Sequence, residues 1–275
     1  MTLALAVLLC LGAAPAEEGQ DPLAQVELQQ QRLFERVAPA VVFITNGKSF
    51  GSGFFVSSDG LILTNEHVVA GSESVRVVLH DGRKVTAKVL ERGGDQVDVA
   101  LLKAPLMDSP ALPLSGLAEI RVGSWVGSVG HGRGAVWTFN SGMVSNIYPD
   151  GEKRPLFQTQ IPLNPGSSGG PIFDRHGRTV GLVVAGIENA SSLNFGIAMD
   201  LAILALPGLA KVAACLVINA PAGVPVFFDN KMVGVGPRVV VSTPSHETHE
   251  VFAVIGGTMK RLSIDYPAQR EVELK

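Results

Sequence analysis

Between residues 22 and 37, apolar side chains recur at Leu23, Val26, Leu33, Phe34 and Val37, with glutamines and charged residues between them. A spacing near 3.6 predicts one amphipathic helix, and Val37-Ala38-Pro39 ends it. Beyond Pro39 the period changes. Short apolar runs predict strands at 41–45, 54–56, 61–64, 75–79 and 84–89. The turns Ser58-Asp59-Gly60 and His80-Asp81-Gly82 lie between them, and Asp-Gly between apolar runs signals a hairpin. Two more hairpins are predicted around Asp150-Gly151 and His176-Gly177. Many short strands at close spacing specify an all-β fold, a sandwich or a barrel.

The stretch 201–216, LAILALPGLAKVAACL, is almost uncharged and suited to packing on the domain before it. A boundary is placed near Pro207-Gly208, with 206–213 as a linker. The runs LVI, VPVFF, RVVVS, EVFAVI, RLSI and EVEL then predict a small β-sandwich over 214–275, with a turn at Asp229-Asn230-Lys231. At the other end, MTLALAVLLCLGAAPA carries no charged side chain. Its apolar run is shorter than the roughly 20 residues of a membrane span. It closes on Ala14-Pro15-Ala16, a small-x-small cleavage pattern, before Glu17 and Glu18. These features predict a secretory signal over 1–16 and a secreted or periplasmic, cell-envelope location. No Lys or Arg precedes the run, so the α-amino group or a start further upstream supplies the positive charge. A lipoprotein acylated at Cys10 is the weaker alternative, because Leu9 stands where a small residue belongs. Residues 17–38 then form an N-terminal segment carrying the helix. Removal of Cys10 leaves Cys215, which reads as a buried structural thiol, with no internal disulfide.

Composition narrows the function classes. Hydrophobic residues make up 46% and charged ones 17%, which excludes a disordered chain. The net charge is −3 and no basic block rises from it, so no nucleic-acid partner is expected.

Three short motifs carry chemistry: TNEHVV with His67, VDVALLK with Asp98, and NPGSSGGPIF with Ser167 and Ser168. A serine hydroxyl is a poor nucleophile until a base removes its proton, and histidine does this best near neutral pH. The histidine needs a carboxylate to fix its tautomer. Asp98 sits inside an apolar strand pattern, where an unpartnered carboxylate is costly, and His67 is the natural partner. Gly166, Gly169 and Gly170 allow a tight turn whose amides stay free for a substrate oxygen. The N–H groups of Gly166 and Ser168 are the candidate oxyanion hole. Gly166-x-Ser168-x-Gly170 also fits the nucleophile elbow of α/β-hydrolases, with Asp200 and His246 following in that order. An elbow leads into a helix, whereas Pro171-Ile172-Phe173 leads into a strand.

The segments GSGFFVSSDGLILTNEHVV, VDVALLK and NPGSSGGPIF resemble the HtrA (DegP/Deg) group of trypsin-like serine proteases. The likeness runs over residues 34–199, through RVAPAVVFI, IRVGSWV and NFGIAMD. It implies two six-stranded β-barrels over 39–205 in the chymotrypsin manner, with the site in the cleft between them. It implies His67 as general base, Asp98 as orienting acid and Ser168 as nucleophile of a serine endopeptidase. It also implies substrate pairing along Val183, Val184, Ala185 and Gly186, a small or medium aliphatic side chain before the cleaved bond, and misfolded or envelope proteins as substrates. Ser167 stands where that group usually has Asn. Gln160, Ile161 and Pro162 replace a usual acidic and small-residue run, and Gly130-His131-Gly132-Arg133-Gly134 replaces an Asn-Pro-Phe-Gly loop that takes part in activation in relatives. The helix over 22–37 fits either a homotrimer, as in relatives, or a cover for one barrel end.

That group commonly carries PDZ domains, and residues 214–275 show no such pattern. They resemble a PEGA-type β-sandwich instead, which implies attachment to an envelope polymer or a partner protein. The remaining histidines read as follows. His80 and His176 fall in solvated turns, His131 lies where it can reach substrate, and His246 and His249 form a polar turn rather than a metal site, lacking a third ligand. Trp125 and Trp137 read as packing residues. No metal and no cofactor is called for. The alternative to an enzyme is a catalytically silent protease-fold scaffold that binds through its C-terminal domain.

Overall fold

Asp21 caps the first helix: its carboxylate accepts from the Leu23 amide at 3.0 Å, and Pro22 follows at the first helical position. The computed structural model describes residues 21–94, 97–117, 120–134, 137–147, 156–184, 194–213, 215–242, 248–265, 269 and 271–275. The predicted signal segment with Cys10, the predicted Asp150-Gly151 turn, Ala185, Gly186 and His246 lie outside them. Helix α1 (Pro22–Val37) has the bounds its period predicts, but only its C-terminal half packs. Leu33 and Val37 are buried, while Leu23 is 80% and Val26 55% exposed.

Strands β1 (Val41–Thr45), β2 (Phe50–Phe55), β3 (Leu61–Thr64), β4 (Ser74–Val78), β5 (Lys84–Arg92) and β6 (Ala100–Lys103) close into a barrel in the order β1-β2-β3-β6-β5-β4. Strands β7 (Trp125–Gly130), β8 (Thr138–Ile147), β9 (Leu156–Thr159), β10 (Pro171–Phe173), β11 (Thr179–Val184) and β12 (Asn194–Ala198) close a second, ordered β10-β11-β12-β9-β8-β7. All neighbours within both barrels are antiparallel.

The strands between the barrels are buried on both faces, which is why their sequences run apolar rather than alternating. In β2, Phe55 fills the first barrel with Ile44, Ile62 and Leu102, while Phe54 joins a central cluster. In β11, Val183 fills the second barrel with Phe157 and Ile172, while Leu182 joins the same central cluster. Leu33, Val37, Leu63, Leu101 and Phe173 complete that cluster, so it ties α1 and the two barrels into one core. Strand β2 starts four residues before its apolar run predicts, because Gly51 and Gly53 hide it from a pattern reading. A Cβ on Gly53 would stand 2.6 Å from the Ile44 side chain.

Residues 206–213 do not form an extended linker. Met199–Ala205 is helix α2, and Pro207–Val212 is helix α3. Pro207 opens α3 at its first position, and both Glu91 carboxylate oxygens accept from the Gly208 amide at 2.9 and 3.0 Å. Leu206, Leu209 and Ala213 are buried in the central cluster. The sandwich follows: β13 (Cys215–Asn219), β14 (Pro225–Phe228), β15 (Lys231–Val235), β16 (Arg238–Ser242), β17 (Thr248–Ile255), β18 (Thr258–Asp265) and β19 (Glu271–Glu273). They make sheets ordered β16-β13-β19 and β15-β14-β17-β18. Leu216, Ile218, Val226, Phe228, Val251 and Ile264 fill the space between. Val217, pointing the other way from β13, enters the central cluster. No described helix is long and apolar enough to cross a membrane.

Replacing Leu209 with Ala should cost about 2–5 kcal/mol, because the residue is fully buried. Leu23→Ala, on the exposed end of α1, should stay within about 0.5 kcal/mol. Urea unfolding monitored by circular dichroism measures both, and a Leu209→Ala cost as small as that of Leu23→Ala would detach α3 from the core.

Candidate active site

The end of β3 and the start of β6 sit side by side in the first barrel, paired at Thr64 and Ala100. The chain leaves β3 through Asn65 and Glu66 and makes a single 3-10 turn over His67–Val69, closed by the Val69 amide on the Glu66 carbonyl at 3.0 Å. Asp98 lies two residues before β6. Its Oδ1 accepts from the His67 amide at 2.9 Å and its Oδ2 from His67 Nδ1 at 2.6 Å. The Asn65 amide group donates to the Asp98 carbonyl at 2.7 Å and fixes the same loop. Burial raises the Asp98 carboxyl, but the donors on His67, ring and backbone, with the Glu66 amide, outweigh it and hold the group below its ordinary range. An ionised Asp98 keeps the proton on His67 Nδ1 and leaves Nε2 free to accept one.

The second barrel brings NPGSSGG to this place. Residues 164–167 form a turn with Pro165 second and Gly166 third at φ +99°, closed by the Ser167 amide on the Asn164 carbonyl at 2.9 Å. Pro followed by a residue at positive φ is the signature of a type II turn. Next, the Gly169 amide donates to the Val183 carbonyl at 2.9 Å and the Gly170 amide to the Ser167 carbonyl at 3.0 Å. The amides of Ser167, Gly169 and Gly170 are thus spent. Those of Gly166 and Ser168 donate to no acceptor among the described residues. Two free amides, one on Ser168 itself and one two residues before it, suit a developing oxyanion.

The two segments converge on Gly51 of β2. A Cβ there would lie 2.6 Å from the Val68 side chain, beside His67, and 3.1 Å from the Ser168 carbonyl oxygen. The Ser52 amide donates to that same carbonyl at 2.8 Å. Among the described residues no hydrogen bond joins the Ser168 hydroxyl to the His67 ring; in unliganded sites such bonds are often long and tighten with substrate. Ser167 and Ser168 are 5% and 3% exposed, so backbone packed around the glycines shields them although no large side chain does.

Val183 does not fit a substrate-pairing role. Its side chain is buried in the second barrel, and its amide and carbonyl are taken by Gly170 and Gly169. Val184, at the end of β11, is half-buried. His131 is fully buried and cannot reach substrate. His249 is also buried, in β17 rather than in a turn, with Nδ1 2.7 Å from Asp229 Oδ2 and its ring on Phe228. His80 and His176 are exposed as their turns predict. The Trp137 indole donates to the Val41 carbonyl at 3.0 Å and packs against His131 and His80. Trp125 lies against Phe173. No cluster of three or more metal-binding side chains occurs among the described residues. Ser52 and Asn65 were missed by motif reading and His131 was expected at the substrate instead; only the glycines flanking Ser52 hinted at a close approach.

Residues 51–182 match the trypsin-like peptidase domain. The chain is similar to proteins named probable periplasmic serine endoprotease DegP-like. The one from Hahella chejuensis is 44% identical over 139 residues, covering 49% of this chain and 29% of that one. The one from Pseudomonas putida (strain W619) is 33% identical over 202 residues, covering 71% and 42%. The chain therefore spans less than half the length of these curated relatives. In fold it is similar to the serine endoprotease from Yersinia pestis, with TM-score 0.59 and 21% identity over 86% of this chain and 96% of that one. It is likewise similar to the HtrA-type protease AlgW with decapeptide, with TM-score 0.58 and 19% identity over 86% and 97%. The stretch that matches the trypsin-like peptidase domain thus lies within a chymotrypsin-like pair of β-barrels, followed by the extra small sheets.

Behind the free amides of Gly166 and Ser168 sits His131, its ring edge-on to Phe43 and Trp137 at 5.4 and 4.9 Å. Its Nδ1 is 3.1 Å from Ser52 Oγ, and its Nε2 has no partner among the described residues. Burial pushes this imidazole down from 6.5 to about 4. Between those two values the unfolded chain takes up a proton that the folded chain refuses, so stability falls as the pH drops, by up to about 1.4 kcal/mol per unit. In His131→Asn this component should vanish. The unfolding free energy measured in urea from pH 6.5 to 4 should then be correspondingly flatter than in the wild type, and parallel curves would mean the ring titrates alike in both states.

Proposed function

We propose that the chain is a serine endopeptidase of the HtrA type, acting on proteins in the periplasm or cell envelope. The observation that carries this reading is the Asp98 carboxylate gripping both the amide and the ring of His67, together with a glycine-boxed Ser168 whose own amide and that of Gly166 are unspent. Ser168 Oγ attacks the peptide carbonyl while His67 Nε2 takes its proton. The amides of Gly166 and Ser168 receive the oxyanion. The imidazolium, held by Asp98, returns the proton to the leaving amine, and the C–N bond breaks to leave an acyl-enzyme. Water, deprotonated by the same ring, then frees the acid and restores Ser168. Val184, at the end of β11, and the residues Ala185 and Gly186 that follow it in sequence are read as the segment that meets the substrate backbone.

The DegP-like names of the relatives and their periplasmic description support the location and the class of substrate. The uncharged residues 1–16 support export. The sandwich is read as a PEGA-like module for an envelope polymer or partner protein, and the exposed Leu23, Val26 and Leu28 of α1 as a contact between copies in a homotrimer. A catalytically silent scaffold is the second reading, favoured by the low exposure of Ser168 and the missing bond from its hydroxyl to His67.

Ser168→Ala should abolish casein cleavage and labelling by a fluorophosphonate probe while circular dichroism shows an intact fold. Asp98→Asn should keep the fold and lower turnover by about 10²–10⁴ through loss of the correct tautomer. A folded wild type that never labels at Ser168 would favour the scaffold, and labelling undiminished in Ser168→Ala would remove the nucleophile assignment.

A further inference from the structure

Ser52 comes from β2 of the first barrel, yet its bonds run to the second. Its amide holds the Ser168 carbonyl at 2.8 Å. Its hydroxyl holds the Gly166 carbonyl at 2.8 Å. Thus one residue, fully buried, grips by their carbonyls the two residues whose amides remain free. The same hydroxyl accepts from the His131 amide at 3.0 Å and meets His131 Nδ1 at 3.1 Å. A hydroxyl has one proton and two lone pairs. The Gly166 carbonyl can only accept, so the proton goes there. Both His131 groups are then donors, and their two bonds fill the lone pairs. That assignment fixes the direction of the hydroxyl and puts the ring proton on Nδ1. Thr64 adds a fourth tie, its hydroxyl donating to the Ser52 carbonyl at 2.7 Å.

We infer that Ser52, seated by His131, is the positioning residue of the oxyanion pocket: it sets the spacing between the Gly166 and Ser168 amides from behind. The inference rests on the catalytic reading above and adds a part to it. Neither side chain touches substrate. Oxyanion donors work only within about 2.7–3.1 Å of the developing charge, and a shift near 1 Å costs on the order of 10²-fold. A turn released from Ser52 loses that tolerance while the groove that binds the ground state is unchanged.

The test uses the full chain and a fluorophosphonate probe, whose phosphoryl oxygen takes the place of the oxyanion. Ser52→Ala should lower the maximal labelling rate about 10–100-fold, with the concentration for half-maximal rate changed less than about twofold. His131→Leu, whose side chain cannot donate to Ser52, should do the same. His131→Asn, whose side-chain amide can donate, should recover to within about threefold of wild type. A merely structural role would weaken probe binding together with the rate or would not discriminate Asn from Leu, and either result overturns the inference, as would unchanged labelling in Ser52→Ala. A crystal structure of the most stable of these variants that lack the tie reads the turn without turnover. The Gly166 carbonyl should move by about 1 Å or more, and an unmoved turn overturns the inference. Labelling in wild type that survives Ser168→Ala would instead remove the catalytic reading, leaving the turn geometry to judge the tie.

Discussion

Backbone must touch backbone where the two barrels meet, and Gly169 is the residue that permits it. A Cβ at this position would stand 2.2 Å from the Ser52 carbonyl oxygen and 2.4 Å from the Thr64 hydroxyl, at a φ of +82° that side-chain-bearing residues rarely adopt. The contact binds the segment carrying Ser168 to the end of the strand that leads into His67. Everything in the site follows from it. Two residues separate Thr64 from His67, and Ser168 is the immediate neighbour of Gly169, so a fixed seam fixes both side chains. The site is therefore a product of how two closed sheets pack, and the energy that holds it belongs to the central apolar cluster rather than to the polar groups themselves.

The two histidines nearest this seam show what their surroundings make of one side chain. His67 is half exposed, and both oxygens of Asp98 serve it, one on the amide and one on the ring. Because amide and ring share one carboxylate, the ring cannot swing without disturbing the turn that carries it. Openness to solvent is what a base facing an incoming peptide requires, so its order has to come from these short bonds rather than from burial. His131 is the opposite case. It has no carboxylate, lies between Phe43 and Trp137, and is held neutral by desolvation alone. A ring in that setting is useless as a base and well suited as a rigid donor to Ser52.

The helix over 22–37, the early hairpins and the pairing of His67 with Asp98 were legible because each rests on a local pattern: a period, an Asp-Gly turn, or a short motif. What was not legible depends on contacts distant in sequence. Ser52 and His131 meet across two barrels, and no spacing announces it. Val183 looked available to a substrate because an apolar run does not tell which strand edge is open; its amide and carbonyl are consumed by Gly170 and Gly169. Pro207-Gly208 read as a break, but Pro is also a favoured first residue of a helix, and Glu91 supplies the carboxylate that caps it. His249 read as part of a polar turn because Asp229, its partner in the fold, stands in a turn of its own that gave no sign of the pairing.

The C-terminal sandwich is mounted on the double barrel rather than tethered to it. Strand β13 is only five residues long, yet it serves two cores. Leu216 and Ile218 face the sandwich interior, and Val217 faces α2 and α3 together with Val240 of β16. A flexible linker would separate these clusters, whereas a shared strand lets neither move without opening apolar surface to water. Helix α2 in turn continues directly from β12, which pairs with β11, the strand whose Val183 receives the Gly169 amide. The sandwich is thus joined to the serine-bearing turn by unbroken packing and hydrogen bonding. Its outer sheet meanwhile presents Met232, Val254 and Met259 to solvent on the far side.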